Sequence, residues 1–130
     1  MSVRLILDTS ALVAYAAADT RAIDLGELLL TVQENGDLTG IPAMCLIEAY
    51  QQVSQPHRDH LLELVGDDEG LAVLLPVLAA DVATIAHLAL QLPPPPAHAT
   101  AETHKHHALL ATYQRHTYTD ILAAEDILDL

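Results

Sequence analysis

Cysteine is almost missing from this chain: Cys45 stands alone, so no disulfide can close within it and a cysteine-rich zinc site is excluded. Phenylalanine and tryptophan are missing altogether, and four tyrosines make up the whole 3% aromatic content. The core must therefore be built from Leu, Ile, Val and Ala, a mixture that packs well when helices cover a sheet. Basic residues are scarce too. Five Lys and Arg stand against 18 Asp and Glu, a formal charge of −13 with His neutral. A surface of that sign repels phosphate, so a broad basic nucleic-acid footprint is excluded. Acidity does not exclude a nuclease, because carboxylates that hold Mg²⁺ are themselves acidic and meet phosphate through the metal. No segment reaches the roughly 20 apolar residues that a membrane span requires. The opening run Val3 to Leu7 is too short for a signal peptide and is interrupted by Asp8, so a cytoplasmic protein is expected.

What is present fits one compact domain: 130 residues with 52% hydrophobic content. Val3 to Leu7 predicts a strand, and Asp8-Thr9-Ser10 after it favours a turn and a helix cap. Ala11 to Ala18 predicts a helix, and Arg21 to Glu34 a second, ended by Asn35-Gly36. Leu38 to Ile41 predicts a second strand, with Pro42 at the start of a helix that carries Cys45, Leu46, Glu48, Ala49 and Val53. Gln55-Pro56 reads as a break before a helix over His57 to Val65, and Gly66-Asp67-Asp68-Glu69-Gly70 as an acidic turn. A strand over Leu71 to Val77 and a helix over Asp81 to Leu92 follow, the helix ended by a loop of four prolines, Pro93 to Pro96. Ala97 to His107 then predicts a helix, and Ala108 to Thr112 and Ile127 to Leu130 two short strands. Alternating strands and helices predict a three-layer α/β fold, a mostly parallel central sheet with helices on both faces.

In an open α/β sheet ligands gather beyond the carboxyl ends of the strands, where Asp8 stands. The same position suits a helix cap that accepts backbone N–H bonds, and spacing leaves both roles open. Glu48 has Leu46, Ile47 and Ala49 as neighbours and Met44 one turn earlier. Burying an unpaired charge is costly, so Glu48 is expected to be paired, protonated, metal-bound or on an exposed helix face.

Together these segments resemble the PIN-domain family, including the toxin components of VapBC-type toxin–antitoxin pairs. Leu5-Ile6-Leu7-Asp8-Thr9-Ser10-Ala11-Leu12 is similar to its first motif, and Ile41-Pro42-Ala43-Met44-Cys45-Leu46-Ile47-Glu48-Ala49 to its second. Ala108-Leu109-Leu110-Ala111-Thr112 is similar to its late strand, so the likeness runs the length of the chain. The resemblance implies a metal-dependent endoribonuclease. Asp8 and Glu48 would be catalytic acids and ligands of Mg²⁺ or Mn²⁺, with Ser10 and Thr112 as polar support. It further implies RNA as substrate, a small antitoxin-like protein as partner and a homodimer as assembly.

The pattern is incomplete. Where the family's third acid is expected stands Pro96-Ala97-His98, and where the fourth is expected stands Gln114. Glu102, six residues beyond Pro96, is turned about 120° off that helix face. His98 is open to two readings: a surface histidine at a helix start, or a substitute ligand preferring Mn²⁺, Zn²⁺ or Ni²⁺ to Mg²⁺. In Thr103-His104-Lys105-His106-His107 only His104 and His107 share a face, so a solvated, dipole-favoured helix end is expected. Of the late acids, Asp120 alone is close enough to the late motif to be a displaced ligand. The resemblance, with its gaps, implies one of two functions: a slow divalent-metal ribonuclease, or a degenerate PIN-like domain that binds a protein or RNA.

Overall fold

The computed structural model describes residues 2–66 and 70–130. The acidic turn expected at Asp67, Asp68 and Glu69 lies outside the described residues. Five strands form one sheet: β1 (Val3–Leu7), β2 (Leu38–Pro42), β3 (Val73–Leu75), β4 (Leu109–Thr112) and β5 (Ile127–Asp129), in the order β3-β2-β1-β4-β5. Every pairing is parallel, so the sheet is wholly and not just mostly parallel. Six α-helices among the described residues flank it: α1 (Thr9–Ala16), α2 (Thr20–Glu34), α3 (Ala43–Gln52), α4 (Gln55–Glu63), α5 (Val82–Leu88) and α6 (Pro94–His106). Connections β1 to β2 and β2 to β3 step the sheet one way, and β3 to β4 steps it back. Right-handed crossovers therefore set α1 to α4 on one face and α5 with α6 on the other.

The sequence explains the layering. Leu5, Ile6 and Leu7 of the middle strand are buried, as a strand covered on both faces requires. Around them pack Leu12, Leu25, Leu29, Ile41, Leu61 and Leu110, the aliphatic core that the lack of Phe and Trp demanded. Tyr118 is the one tyrosine side chain fully inside.

The prolines correct the expected boundaries. Pro94, Pro95 and Pro96 are the first turn of α6, not a loop before it, with Pro93 as an extended N-cap (ψ 155°). The first N–H groups of a helix have no acceptor within it, so proline loses nothing there. The first amide available, that of Ala97, bonds the Pro93 carbonyl at 3.0 Å, which is the first regular bond of the helix. Pro56 acts the same way in α4, which begins at Gln55 and ends at Glu63 instead of spanning His57 to Val65. β3 is shorter than expected, and α5 covers Val82–Leu88 after a 3₁₀ turn at Ala79–Asp81.

Two consequences position the site. β1 is where the strand order reverses, with β2 on one side and β4 on the other, so the crevice beyond its carboxyl end is the topological switch point. The first turns of α3 and α6 also meet at that end: the Met44 N–H donates to His98 Nδ1 at 3.4 Å, and the Cys45 thiol to the Pro95 carbonyl at 3.3 Å.

Candidate acidic site

Asp8 leaves β1 with extended backbone (ψ −178°), and its N–H reaches the Ala111 carbonyl at 3.4 Å, prolonging the β1–β4 ladder by one bond. Both roles left open by the sequence coincide in it. It caps α1, Oδ1 accepting the Ala11 N–H at 3.1 Å, and it is a buried acid at a strand end, 3% exposed. Oδ1 also accepts the Ser10 hydroxyl at 2.7 Å. Oδ2 accepts the Thr112 hydroxyl at 2.6 Å and the Tyr118 phenol at 3.0 Å. The carboxylate thus has four donors, the number of lone-pair sites an ionised carboxylate offers.

The donors are themselves held. The Tyr113 N–H donates to Ser10 Oγ at 3.0 Å, and the Gln114 N–H to Thr112 Oγ1 at 2.9 Å. Ser10 and Thr112, whose oxygens lie 3.2 Å apart, each direct their one proton at Asp8. The structure brings Asp8, Ser10 and Thr112 together, although 102 residues separate the two hydroxyls.

Glu48 is half-buried on α3 and has no hydrogen-bond or ion-pair partner among the described residues. Its charge reaches both the Cys45 thiol and the Tyr118 phenol, as does that of Asp8, so the two acids border one centre. Burial, reinforced by those charges, pushes both groups far up. Cys45 therefore stays a thiol, without the thiolate character a nucleophile needs, and Tyr118 stays a neutral donor.

Tyr118 is the member of the Asp8 network that sequence reasoning missed. It follows the 3₁₀ turn Arg115–Thr117 and is 1% exposed. A signal existed: tyrosine is rare in this chain, two of the four, Tyr113 and Tyr118, follow the late motif closely, and a buried phenol must find a polar partner. Gln114 and Asp120 are exposed. Gln114 contributes its backbone N–H to the network, with no contact from its side chain to Asp8.

His98 and Glu102 belong to a second cluster on α6. His98 is fully buried, which corrects the expectation of a surface histidine. The α3 backbone imposes this: with Nδ1 accepting from Met44, the neutral ring carries its proton on Nε2, 3.3 Å from Glu102 Oε1. The other Glu102 oxygen lies 3.1 Å from His106 Nε2, and Lys105 Nζ lies 3.5 Å from Glu102 Oε1 and 2.7 Å from Asp81 Oδ2. Burial lowers the pKa of His98, against the opposing pull of Glu102. Nδ1 of His98 is therefore taken by the α3 backbone, while buried Nε2 lies 3.3 Å from Glu102 Oε1 without a well-formed hydrogen bond among the described residues. His104, Lys105 and His107 are exposed as a solvated helix end should be, while His106 is half-buried against Glu102.

The donor set can be weighed against a divalent cation. Among the described residues no group of three or more His, Cys, Asp and Glu is arranged to hold a metal ion. Two carboxylates from different elements still suit Mg²⁺ or Mn²⁺, which keep several waters and take further oxygens from a substrate phosphate. Asp8 and Glu48 fit in that reduced sense, provided that Asp8 gives up a donor. Compared with known proteins, the chain matches no family model and no curated relative. Fold and site together define its class: a parallel α/β domain with a hydrogen-bonded carboxylate at the switch point of its sheet.

Proposed function

We propose that the chain is a PIN-like domain with a reduced metal-nuclease centre, a slow, Mn²⁺-favouring endoribonuclease in which Asp8 and Glu48 hold the cation. The observation that carries this reading is the place of the acids. Asp8 ends the middle strand at the switch point, and Glu48, from the next crossover, borders the same centre with no internal partner among the described residues. Bound there, a divalent ion would supply an activated water and a Lewis acid for phosphodiester hydrolysis. The chain's own residues do the rest. Ser10, Thr112 and the Ala11 N–H fix the orientation of the Asp8 carboxylate, and Glu48 is free to turn toward a cation. Cys45 and Tyr118 stay protonated and add no competing charge.

Loss of single-stranded RNA cleavage in both Asp8→Asn and Glu48→Gln, at millimolar Mn²⁺, is the expected result. Cleavage untouched by both substitutions would remove these residues from the reaction.

One observation favours a second reading, the degenerate binding module: all four lone-pair sites of Asp8 are filled from within the chain. RNA is then a poor ligand, because three of the five cations are ion-paired internally, Arg4 with Asp37, Arg21 with Asp19 and Lys105 with Asp81. A protein is the better partner. An apolar groove of about 410 Å³ between α3 and α4, lined by Leu46, Ile47, Tyr50, Gln51, Arg58 and Leu62, offers a place for an antitoxin-like protein or a second copy of the chain. A small antitoxin-like reading frame just upstream would favour the toxin reading.

A further inference from the structure

We propose that Tyr118 is a built-in block on the acidic site: its phenol, beside the Thr112 hydroxyl, occupies the Asp8 oxygen that a divalent cation needs, so that metal binds only when Tyr118 withdraws. The inference rests on the metal reading of Asp8 and Glu48 and adds regulation to it.

The four donors on Asp8 are not equivalent. Ser10 and Ala11 belong to the helix start that Asp8 itself caps, and both meet Oδ1. Thr112 ends β4 and is pinned by the Gln114 N–H. Tyr118 alone comes from outside regular helix or sheet, on the stretch between β4 and β5. Its backbone is held by turn bonds: its N–H to the Arg115 carbonyl at 3.0 Å, and its carbonyl to the Ile121 and Leu122 N–H groups at 3.0 and 2.8 Å. The segment lacks the ladder bonds of a strand, but the Tyr118 ring is 1% exposed and packed in the core, so its withdrawal is a costly opening and the block is the resting state. Its phenol reaches Oδ2, the oxygen free of the cap, and ends 3.0 Å away. A neutral hydroxyl there satisfies the buried carboxylate in the way a cation's charge otherwise would. A cation must first break that bond, and a hydrogen bond to a charged group is worth at least about a factor of ten in an equilibrium.

The test is Mn²⁺ titration followed by water-proton relaxation, with thermal unfolding measured in parallel, on the wild type, Tyr118→Phe and the Tyr118→Phe, Asp8→Asn double variant. Phenylalanine keeps the ring and deletes the hydroxyl. Tyr118→Phe is expected to bind Mn²⁺ about tenfold more tightly than the wild type and to gain more thermal stability from it, with both effects lost in the double variant. Circular dichroism checks folding. Tyr118→Leu, which also deletes the hydroxyl at Asp8 Oδ2, is expected to shift Mn²⁺ binding the same way and carries the test should the Phe variant not fold. Equal Mn²⁺ affinity in the wild type and the freed variants, lost on Asp8→Asn, would overturn the block and leave the metal reading standing. No binding by any of them at several millimolar Mn²⁺ would overturn both and leave the binding module.

Discussion

His98 shows how much a single side chain can carry in this molecule. It has no exposed surface, it accepts a backbone N–H from the first turn of α3, and its other nitrogen faces Glu102. Burial holds its pKa below the ordinary histidine value. On acidification the unfolded chain takes up the proton first, so the contribution of His98 to stability is intact above about pH 6.5 and falls as pH drops below that. Urea unfolding of the wild type at pH 7.5 and 5.5 is expected to show a loss at the lower pH, and His98→Gln a smaller one. An equal loss in both would assign the acid sensitivity to other groups. The sequence placed His98 on the right helix but could not tell its burial. The deciding contact lies 54 residues away in the chain, on α3. Tyr118 escaped for the same reason, its partner being 110 residues distant. Asp8, Ser10 and Thr112 were legible because strand ends announce themselves locally and the family resemblance linked them.

At the scale of elements, the sequence read types well and ends poorly, and proline accounts for much of the difference. A proline inside a helical pattern signals a break, whereas in a first turn it signals a start, and Pro56 and Pro94 to Pro96 are all starts. The other end of α6 is less favourable. It closes on His107 in the left-handed region (φ 51°, ψ 42°), which a side chain with a Cβ adopts at a cost of about 1–2 kcal/mol. Its side chain is exposed. Glycine here relieves the strain but adds freedom to the unfolded chain, so His107→Gly is expected to stabilise the fold by about 0.5–1 kcal/mol. Denaturant unfolding that shows a loss would mean that the imidazole contributes more than the strain costs.

For the whole molecule the governing quantity is the charge of −13 on 130 residues. Repulsion within so acidic a surface destabilises the compact state, and salt screens it, with a Debye length of about 10 Å at 0.1 M. The thermal midpoint is expected to rise by a few degrees between low salt and 0.3 M KCl, equally in the wild type and Asp8→Asn. A flat or falling midpoint would show that the acids are dispersed enough not to matter. Among the described residues no helix is long and apolar enough to cross a membrane. The layered parallel sheet was legible from the alternation of elements. The order in which its strands lie was not, because crossovers that step forward or back leave the same pattern along the chain.

The proline start of α6 reaches further than its geometry. A helix N-terminus ordinarily offers several unpaired N–H groups and a partial positive charge, which together make it a cradle for phosphate. Pro94, Pro95 and Pro96 have no N–H, and the amide of Ala97 is already taken by Pro93. The pole of α6 that points toward the acidic crevice is therefore blunt. An oxyanion arriving there meets pyrrolidine rings where another helix would present donors, so under the proposed nuclease reading the hold on a phosphodiester would fall to a cation at Asp8 and Glu48.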